Sequence, residues 1–370
     1  MSSSNKPQKE NETGMINAFF QQNNITFPLW AASHLTNYNP RDLAANVIAD
    51  DVEMLWGEIY NWVFEFLDPI IDQANVVSSI LGDIRNNETI AKHFYQVLSE
   101  NRDFISAIKY PETEFAVLET ILMRFLVRRI FEGGMLDKNK QPYRLLQALE
   151  TSVSNNQKEA YHDLTVQLWR HTTYRALLNM PDFSSIWKQY TDETMTYLRQ
   201  LLECFRAAPH FESSLNKFEA TILAQACKIH RDMVMSMDKY SFHIETYDQP
   251  KDRRARVDSL LSSLDNDLQI KDHTGPDRYL NVLQYMKSVK IRDIDRTELY
   301  EKLDPLCNVK PRLRFRTLGQ RQDRNHFKFG PEKNITATST LVVYGDDAKK
   351  RKVLKTGSSL FSRICKAAAR

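Results

Sequence analysis

A run of four cations near the C-terminal end is the strongest candidate for a functional segment. Lys349, Lys350, Arg351 and Lys352 are consecutive and precede Val353. Long aliphatic stems that end in positive charge suit the acidic, tryptophan-lined groove of the carrier that takes proteins into the nucleus. We predict a nuclear import signal at 349–353. Non-specific binding to nucleic-acid phosphates is a compatible alternative, and a solvated segment that does neither is the third.

A second basic group lies where apolar and charged residues alternate. The period of two places Arg312, Arg314 and Arg316 on one face of a strand, with Leu313 and Phe315 on the other. Further cations follow at Arg321, Arg324 and Lys328. A basic surface that carries aromatic rings could hold single-stranded nucleic acid through phosphate contacts and stacking. In the alternative interpretation, the arginines pair with acidic groups elsewhere in the chain.

The charge distribution keeps this alternative open. Residues 310–370 contain 16 Lys and Arg against 4 Asp and Glu, a net charge of +12. The preceding residues contain 34 basic and 43 acidic side chains, a net charge of −9. A basic end beside an acidic body is typical of an interaction tail, and it equally permits the two parts to dock on each other.

Other combinations of reactive residues lack the spacing that a metal site requires. Glu159 and His162 match one half of a di-iron bundle motif, but no second copy follows. Asp50, Asp51 and Glu53 point in different directions on a helix, so their carboxylates do not converge. The cysteines are too far apart for a metal or disulfide framework; they are Cys204, Cys227, Cys307 and Cys365. We therefore predict no metal and no cofactor.

No local motif supports an enzyme. His230 and Asp232 resemble part of the catalytic loop of protein kinases, but Met237 stands where that loop needs asparagine. The sequence has no nucleophile elbow, phosphate-binding loop or dinucleotide fingerprint. An enzyme with a site assembled between distant helices remains an alternative, because such sites need no local motif.

The element that must organise the core is the apolar segment 115–131. Its apolar residues cover most of a helical circumference, which indicates a helix buried in the protein. It is short for a membrane span, and Arg124 and Arg128 interrupt it. We predict that these two arginines pair with acids of neighbouring helices or reach solvent; an anion site is the alternative.

The remaining pattern predicts a mainly α-helical fold: a multi-helix array with a small basic extension of β-hairpin or α+β type. In the predicted organisation, 1–40 is a disordered N-terminus with an aromatic arm, 41–245 a helical domain, 246–309 a charged helical connector, 310–345 a basic β-like unit and 346–370 a basic tail. The first helix is expected at 41–67, with Val47 on its apolar stripe and Asp68-Pro69 at its end. Others include 70–81, 88–98, 182–206, 212–239, 277–289, 296–303 and a short basic helix at 358–370.

The N-terminus has no apolar core of a signal peptide, so we predict a protein that is not secreted. The charges within 115–131 predict no membrane contact. The cation run at 349–352 predicts a nuclear protein, with the cytoplasm as the alternative.

The layout of the central segments resembles that of a group of proteins. The run 115–131, a turn with glycine, and the helical patterns at 146–150, 160–168 and 175–178 are similar to uncharacterised large helical proteins of filamentous fungi. The likeness covers about residues 45–240. It implies a helical fold and no known activity. We predict a non-enzymatic nuclear interaction or regulatory protein with unknown protein partners; a nucleic-acid-binding, nucleoprotein-like protein is the alternative.

Overall fold

The structure is a computed structural model. It describes residues 45–108, 113–132, 166–167, 169–171, 173–174, 176, 181, 183–244, 254–255, 257–258, 268–269, 297, 300–301, 303–321, 326–336, 338–344 and 359–369.

The described residues form a mainly α-helical protein with a small set of strands, which confirms the predicted fold class. The first helix, α1, spans Ala45–Ile71. It is followed by α2 (Ala74–Asn86), α3 (Lys92–Glu100), α4 (Arg102–Ala107), α5 (Glu114–Leu126), α6 (Phe183–Leu202), α7 (Phe211–Lys217), α8 (Ala224–Met235) and α9 (Leu360–Ala368). A π-helical turn, Phe218–Leu223, joins α7 to α8, so the predicted helix at 212–239 is present but ends earlier.

The predicted end of the first helix is wrong. Pro69 lies inside the last turn of α1, and the helix continues to Ile71. A proline cannot donate the backbone hydrogen bond of its turn, and it is best tolerated in the first turn of a helix, so another contribution must hold Pro69 in the last turn. The side chain of Ile70 is fully buried and holds this last turn in the core. Packing in the core therefore determines where α1 ends, and it overrides the local stop signal at Asp68-Pro69.

Eight strands are described, and they form three small sheets. The strands are β1 (Lys239–His243), β2 (Leu268–Gln269), β3 (Leu303–Lys310), β4 (Arg312–Arg316), β5 (Leu318–Arg321), β6 (His326–Phe329), β7 (Lys333–Asn334) and β8 (Thr338–Tyr344). The sheet orders are β1-β4-β7, β2-β8-β3 and the hairpin β5-β6. Apart from the two-residue pairing of β2 with β8, the ladders are antiparallel. The strand predicted from the alternation at 312–316 is confirmed, and further strands lie within the predicted β-like unit at 310–345.

Neither β1 nor β3 was predicted. The sequence interpretation placed residue 239 in a helix and residue 303 at the end of another, whereas these residues begin β1 and β3. Both strands receive their hydrogen bonds from distant segments, β1 from β4 and β3 from β8. Pro305 in β3 also reads locally as a turn signal. Long-range pairing overrides the local pattern in both cases.

The segment predicted to organise the core does so. Helix α5 packs against α1 and β3, and its π-helical continuation, Val127–Glu132, packs against α8 and β1. Val117, Leu118, Leu122 and Leu126 are fully buried. No helix in the described parts of the chain is long and apolar enough to cross a membrane.

The C-terminal helix α9 is part of the same core. Phe361 is fully buried, and its ring lies 5.0 Å from that of Phe94 and 6.0 Å from that of Phe205, measured between centroids. The Ser359 hydroxyl caps the helix and donates a hydrogen bond of 2.7 Å to the carbonyl of Ile108. A short helix at this end was predicted, but as a basic tail. Its apolar face is docked, because Leu360, Phe361, Ile364 and Ala367 are all buried.

Side chains from the predicted helical domain, the β-like unit and the C-terminal helix join one hydrophobic cluster. The domain boundaries stay a prediction, since most of 246–309 lies outside the described residues.

Candidate functional site

Strand β4 places its arginines as the alternation predicted. In the antiparallel ladder with β1, Arg316 lies opposite Lys239 and Arg314 opposite Ser241. The other face carries Phe315, whose ring centroid is 6.3 Å from that of Tyr240. On that face, too, Phe242 of β1 contacts the rings of Trp56 and Phe131. The aromatic face therefore packs on the helical body, and the arginines lie on the opposite face.

Only part of this basic face is open. Arg312 is buried, with 6% of its surface exposed. Arg314 donates a hydrogen bond of 3.2 Å to Glu332, and the same carboxylate accepts a hydrogen bond of 3.2 Å from Ser241. Arg316 is exposed. The three guanidinium groups thus share a face but do not form a continuous basic surface.

Lys239 and Arg316 form an exposed pair of like charges directly opposite each other. Such a pair weakens an antiparallel ladder slightly. The structure does not describe the side chains of Arg321 and Lys328, whose backbones lie in β5 and β6, and Arg324 lies outside the described residues. Nucleic-acid contact by this region stays a prediction.

The other predicted basic group, the import-like segment (349–353), lies outside the described residues, between β8 and α9. The same holds for Glu159 and His162.

Acids of α1 hold basic residues of the later elements. Glu53 accepts a hydrogen bond of 2.9 Å from Lys310 of β3, which is 9% exposed. Asp51 pairs with Lys228 of α8 at 2.9 Å, whereas Asp50 is exposed. The acids at 50, 51 and 53 therefore do not converge, as predicted. Among the residues that the structure describes, no group of three His, Cys, Asp or Glu side chains could hold a metal ion.

The arginines of the central helix have separate roles. Arg124 is buried and pairs with Asp103 of α4 at 2.6 Å. It also donates a hydrogen bond of 3.2 Å to Asn101, and its guanidinium lies 4.6 Å from the ring centroid of Phe104. Arg128 is exposed. Pairing with a neighbouring acid is confirmed for Arg124, whose guanidinium serves the packing of α5 on α4.

His230, part of the kinase-like triplet, is a core residue. It lies in α8 and is 9% exposed, and its ring centroid is 6.2 Å from that of Phe131. Burial lowers the pKa of its imidazole to about 4, and the positive charge of Arg170 acts in the same direction. This environment favours a neutral histidine that supports packing.

The lowered pKa of His230 predicts a loss of stability in mild acid. The unfolded chain takes up this proton as the pH falls through about 6.5, while the folded protein does so only near pH 4. The stability that comes from keeping His230 neutral is therefore fully present above pH 6.5 and lost by pH 4. Over this range the free energy of unfolding falls by about 3 kcal/mol. Urea unfolding at pH 7 and pH 4.5 should show a smaller pH dependence for His230→Gln. His93→Gln, on an exposed residue of α3, is the matched control. An unchanged pH dependence in His230→Gln would contradict the assignment.

The structure exposes an apolar surface that the sequence interpretation missed. Val47, Met54, Phe64 and Ile71 of α1 are 49%, 55%, 49% and 37% exposed. Val47 was predicted to lie on the buried stripe, and this is wrong. Together with Gly57 these residues follow spacings of seven, three, seven and seven, which match the a and d positions of a heptad. We call these five residues the heptad face.

The heptad face lies opposite the buried side of α1. Leu55, Ile59, Trp62 and Phe66 occupy that buried side and are at most 2% exposed. A helical projection at about 100° per residue separates the two sets. The same projection, applied to the sequence, would have shown that α1 has apolar residues on two sides. The interpretation assigned the apolar residues of α1 to a single stripe, although they lie on two sides.

Comparison with known proteins gives no match: no protein-family model, no curated protein and no solved structure is similar to the chain. The resemblance to helical proteins of filamentous fungi stays a prediction.

Proposed function

We propose that the protein is a non-enzymatic interaction protein of the nucleus. Its helical body binds partner proteins, and the import-like segment (349–353) binds the nuclear import carrier. The observation that carries the interaction role is the heptad face, where apolar side chains of a well-packed helix are left half-exposed. Exposed apolar residues that share one face of a helix can mark an interaction site.

The environment of the reactive groups supports a structural role for them. Burial raises the pKa of the Cys227 and Cys307 thiols to about 12, and that of Cys204 well above its ordinary value. These thiols lie in the hydrophobic cluster, as does the residue next to His230, Ile229. Catalytic groups with shifted pKa values usually face a cleft, so this placement favours packing.

The two alternative functions have less support. Among the side chains that the structure describes on this face, nucleic-acid binding would rest on Arg316 and Lys239, because Arg312 is buried and Arg314 is paired with Glu332. An enzyme with a site between helices has no described arrangement that favours it. Both stay predictions.

The import role predicts a specific change in location. In cells that express the full chain fused to a large inert fluorescent reporter, the wild type should accumulate in the nucleus. Replacement of Lys349, Lys350, Arg351 and Lys352 by alanine should abolish this accumulation, because the carrier's acidic groove loses its cationic partners. The nuclear-to-cytoplasmic fluorescence ratio is the measurement.

The control removes another basic cluster, with Arg253, Arg254 and Arg256 replaced by alanine; this variant should remain nuclear. Point substitutions are required, because a truncation at 346 would also remove α9 from the core. Persistent nuclear accumulation of the quadruple variant would contradict the import role.

A further inference from the structure

Nothing that the structure describes around Gly57 requires a glycine there. It lies in the middle of α1, where glycine is less favourable than alanine. A Cβ atom built at this position would meet nothing within 4 Å apart from its chain neighbours and the backbone of α1 itself. The position therefore has room for a side chain, yet it lies between the exposed residues Met54 and Phe64. A missing side chain at the centre of an apolar helix face allows another backbone to approach closely.

All the charged side chains of α1 are negative. Its sequence contains Asp and Glu residues but no Lys or Arg. Three of the acids, Asp51, Glu53 and Glu65, pair with lysines of other elements. Among the described residues, no cation lies within ion-pair distance of Asp50, Glu58 or Asp68.

These acids border and interrupt the apolar residues. Asp50 and Asp68 occupy heptad positions between Val47 and Ile71, and Glu58 follows Gly57 directly. The heptad face is therefore an apolar surface bordered by acids that do not pair with any cation in the described parts of the chain.

We infer that the heptad face binds a basic amphipathic helix of another protein, which crosses α1 at Gly57. The inference rests on the proposed interaction role and names the class of partner. Apolar residues of the partner would contact Met54 and Phe64, and its Lys or Arg side chains would pair with Asp50 and Asp68. A second copy of α1 is the wrong occupant, because self-pairing would bring acids of one helix against acids of the other.

The test uses the full chain and a designed probe. The probe is a fluorescent peptide of about three heptads, with leucine at the a and d positions and lysine at the flanking ones. We expect it to bind, with an affinity that falls between about 50 mM and 500 mM NaCl. A peptide with glutamate in place of lysine should not bind. Fluorescence anisotropy gives both affinities.

Variants of α1 locate the binding site. Gly57→Leu should weaken binding about tenfold or more, because its side chain fills the crossing point. Gly57→Ala should raise the midpoint of thermal unfolding by about 1–3 °C while it weakens binding. Gly82→Ala is the matched control, since Gly82 is helical and a Cβ there also meets nothing within 4 Å. It should give a similar rise in the midpoint with unchanged binding.

A second pair of variants tests the apolar contact. Phe64→Ala should weaken binding of the lysine peptide. Ile186→Ala, at a residue of α6 that is 45% exposed, should leave it unchanged.

Several results would overturn the inference. These are the absence of binding at low salt, equal binding of the glutamate peptide, and an affinity of Gly57→Leu equal to that of the wild type. A dimer that Gly57→Leu dissociates, seen by sedimentation, would assign the face to a second copy instead. Tighter peptide binding after deletion of residues 1–40 would assign it to this chain's own N-terminal segment. Import by residues 349–353 is measured separately, so the proposed nuclear role can stand if the peptide fails to bind.

Discussion

Replacement of Asp103 by alanine should lower the free energy of unfolding by about 3–5 kcal/mol. The variant removes the carboxylate that lies 2.6 Å from Arg124 and leaves the guanidinium buried without its counter-charge. The side chains of Arg124 and Asp103 are only 6% and 2% exposed, so water cannot replace the lost partner. The hydrogen bond from Arg124 to Asn101 remains but does not neutralise the charge. Equilibrium unfolding in urea measures the difference.

Two controls separate the buried pair from ion pairs in general. The double variant Asp103→Leu/Arg124→Met should be more stable than Asp103→Ala, since it leaves no buried charge. Glu212→Ala removes the partner of Arg199 in an exposed pair and should change the free energy of unfolding far less than Asp103→Ala does. Equal losses for Asp103→Ala and Glu212→Ala would show that the pair of α4 and α5 is not buried in solution.

Phe361→Ala should also lower the free energy of unfolding, by about 3–5 kcal/mol. The ring of Phe361 is fully buried between those of Phe94 and Phe205. Its removal leaves a cavity that α9 cannot fill without breaking its cap contacts. The backbone N–H of Leu360 donates a hydrogen bond of 2.8 Å to Glu114, and Ser359 bonds to Ile108. Urea unfolding is again the measurement.

Arg363→Ala is the matched control for this helix. Arg363 is half-buried on α9, and its truncation should change the free energy of unfolding by about 0.5 kcal/mol or less. A comparably small effect of Phe361→Ala would mean that α9 is a free tail, as the sequence suggested. The large effect expected here would assign the last helix to the cooperative core.

Local periodicity was enough to predict the fold class and several elements. The apolar circumference of 115–131 predicted the buried helix α5, and the alternation at 312–316 predicted both β4 and the common face of its arginines. These features follow from the 3.6-residue and two-residue periods, which neighbouring residues determine. The strands β1 and β3 were missed because their partners, β4 and β8, are distant in sequence.

Periodicity alone could not predict which side chains of the candidate site are exposed, buried or paired. The sequence determined that Arg312, Arg314 and Arg316 share a face, but only the tertiary structure decided that Arg312 is buried and Arg314 paired with Glu332. It also decided that Val47 is exposed and that the apolar side of α9 is covered. A period specifies which side chains point the same way along one element. Which side is covered depends on the elements packed against it, and that is the level at which the heptad face and the buried Arg124 arise.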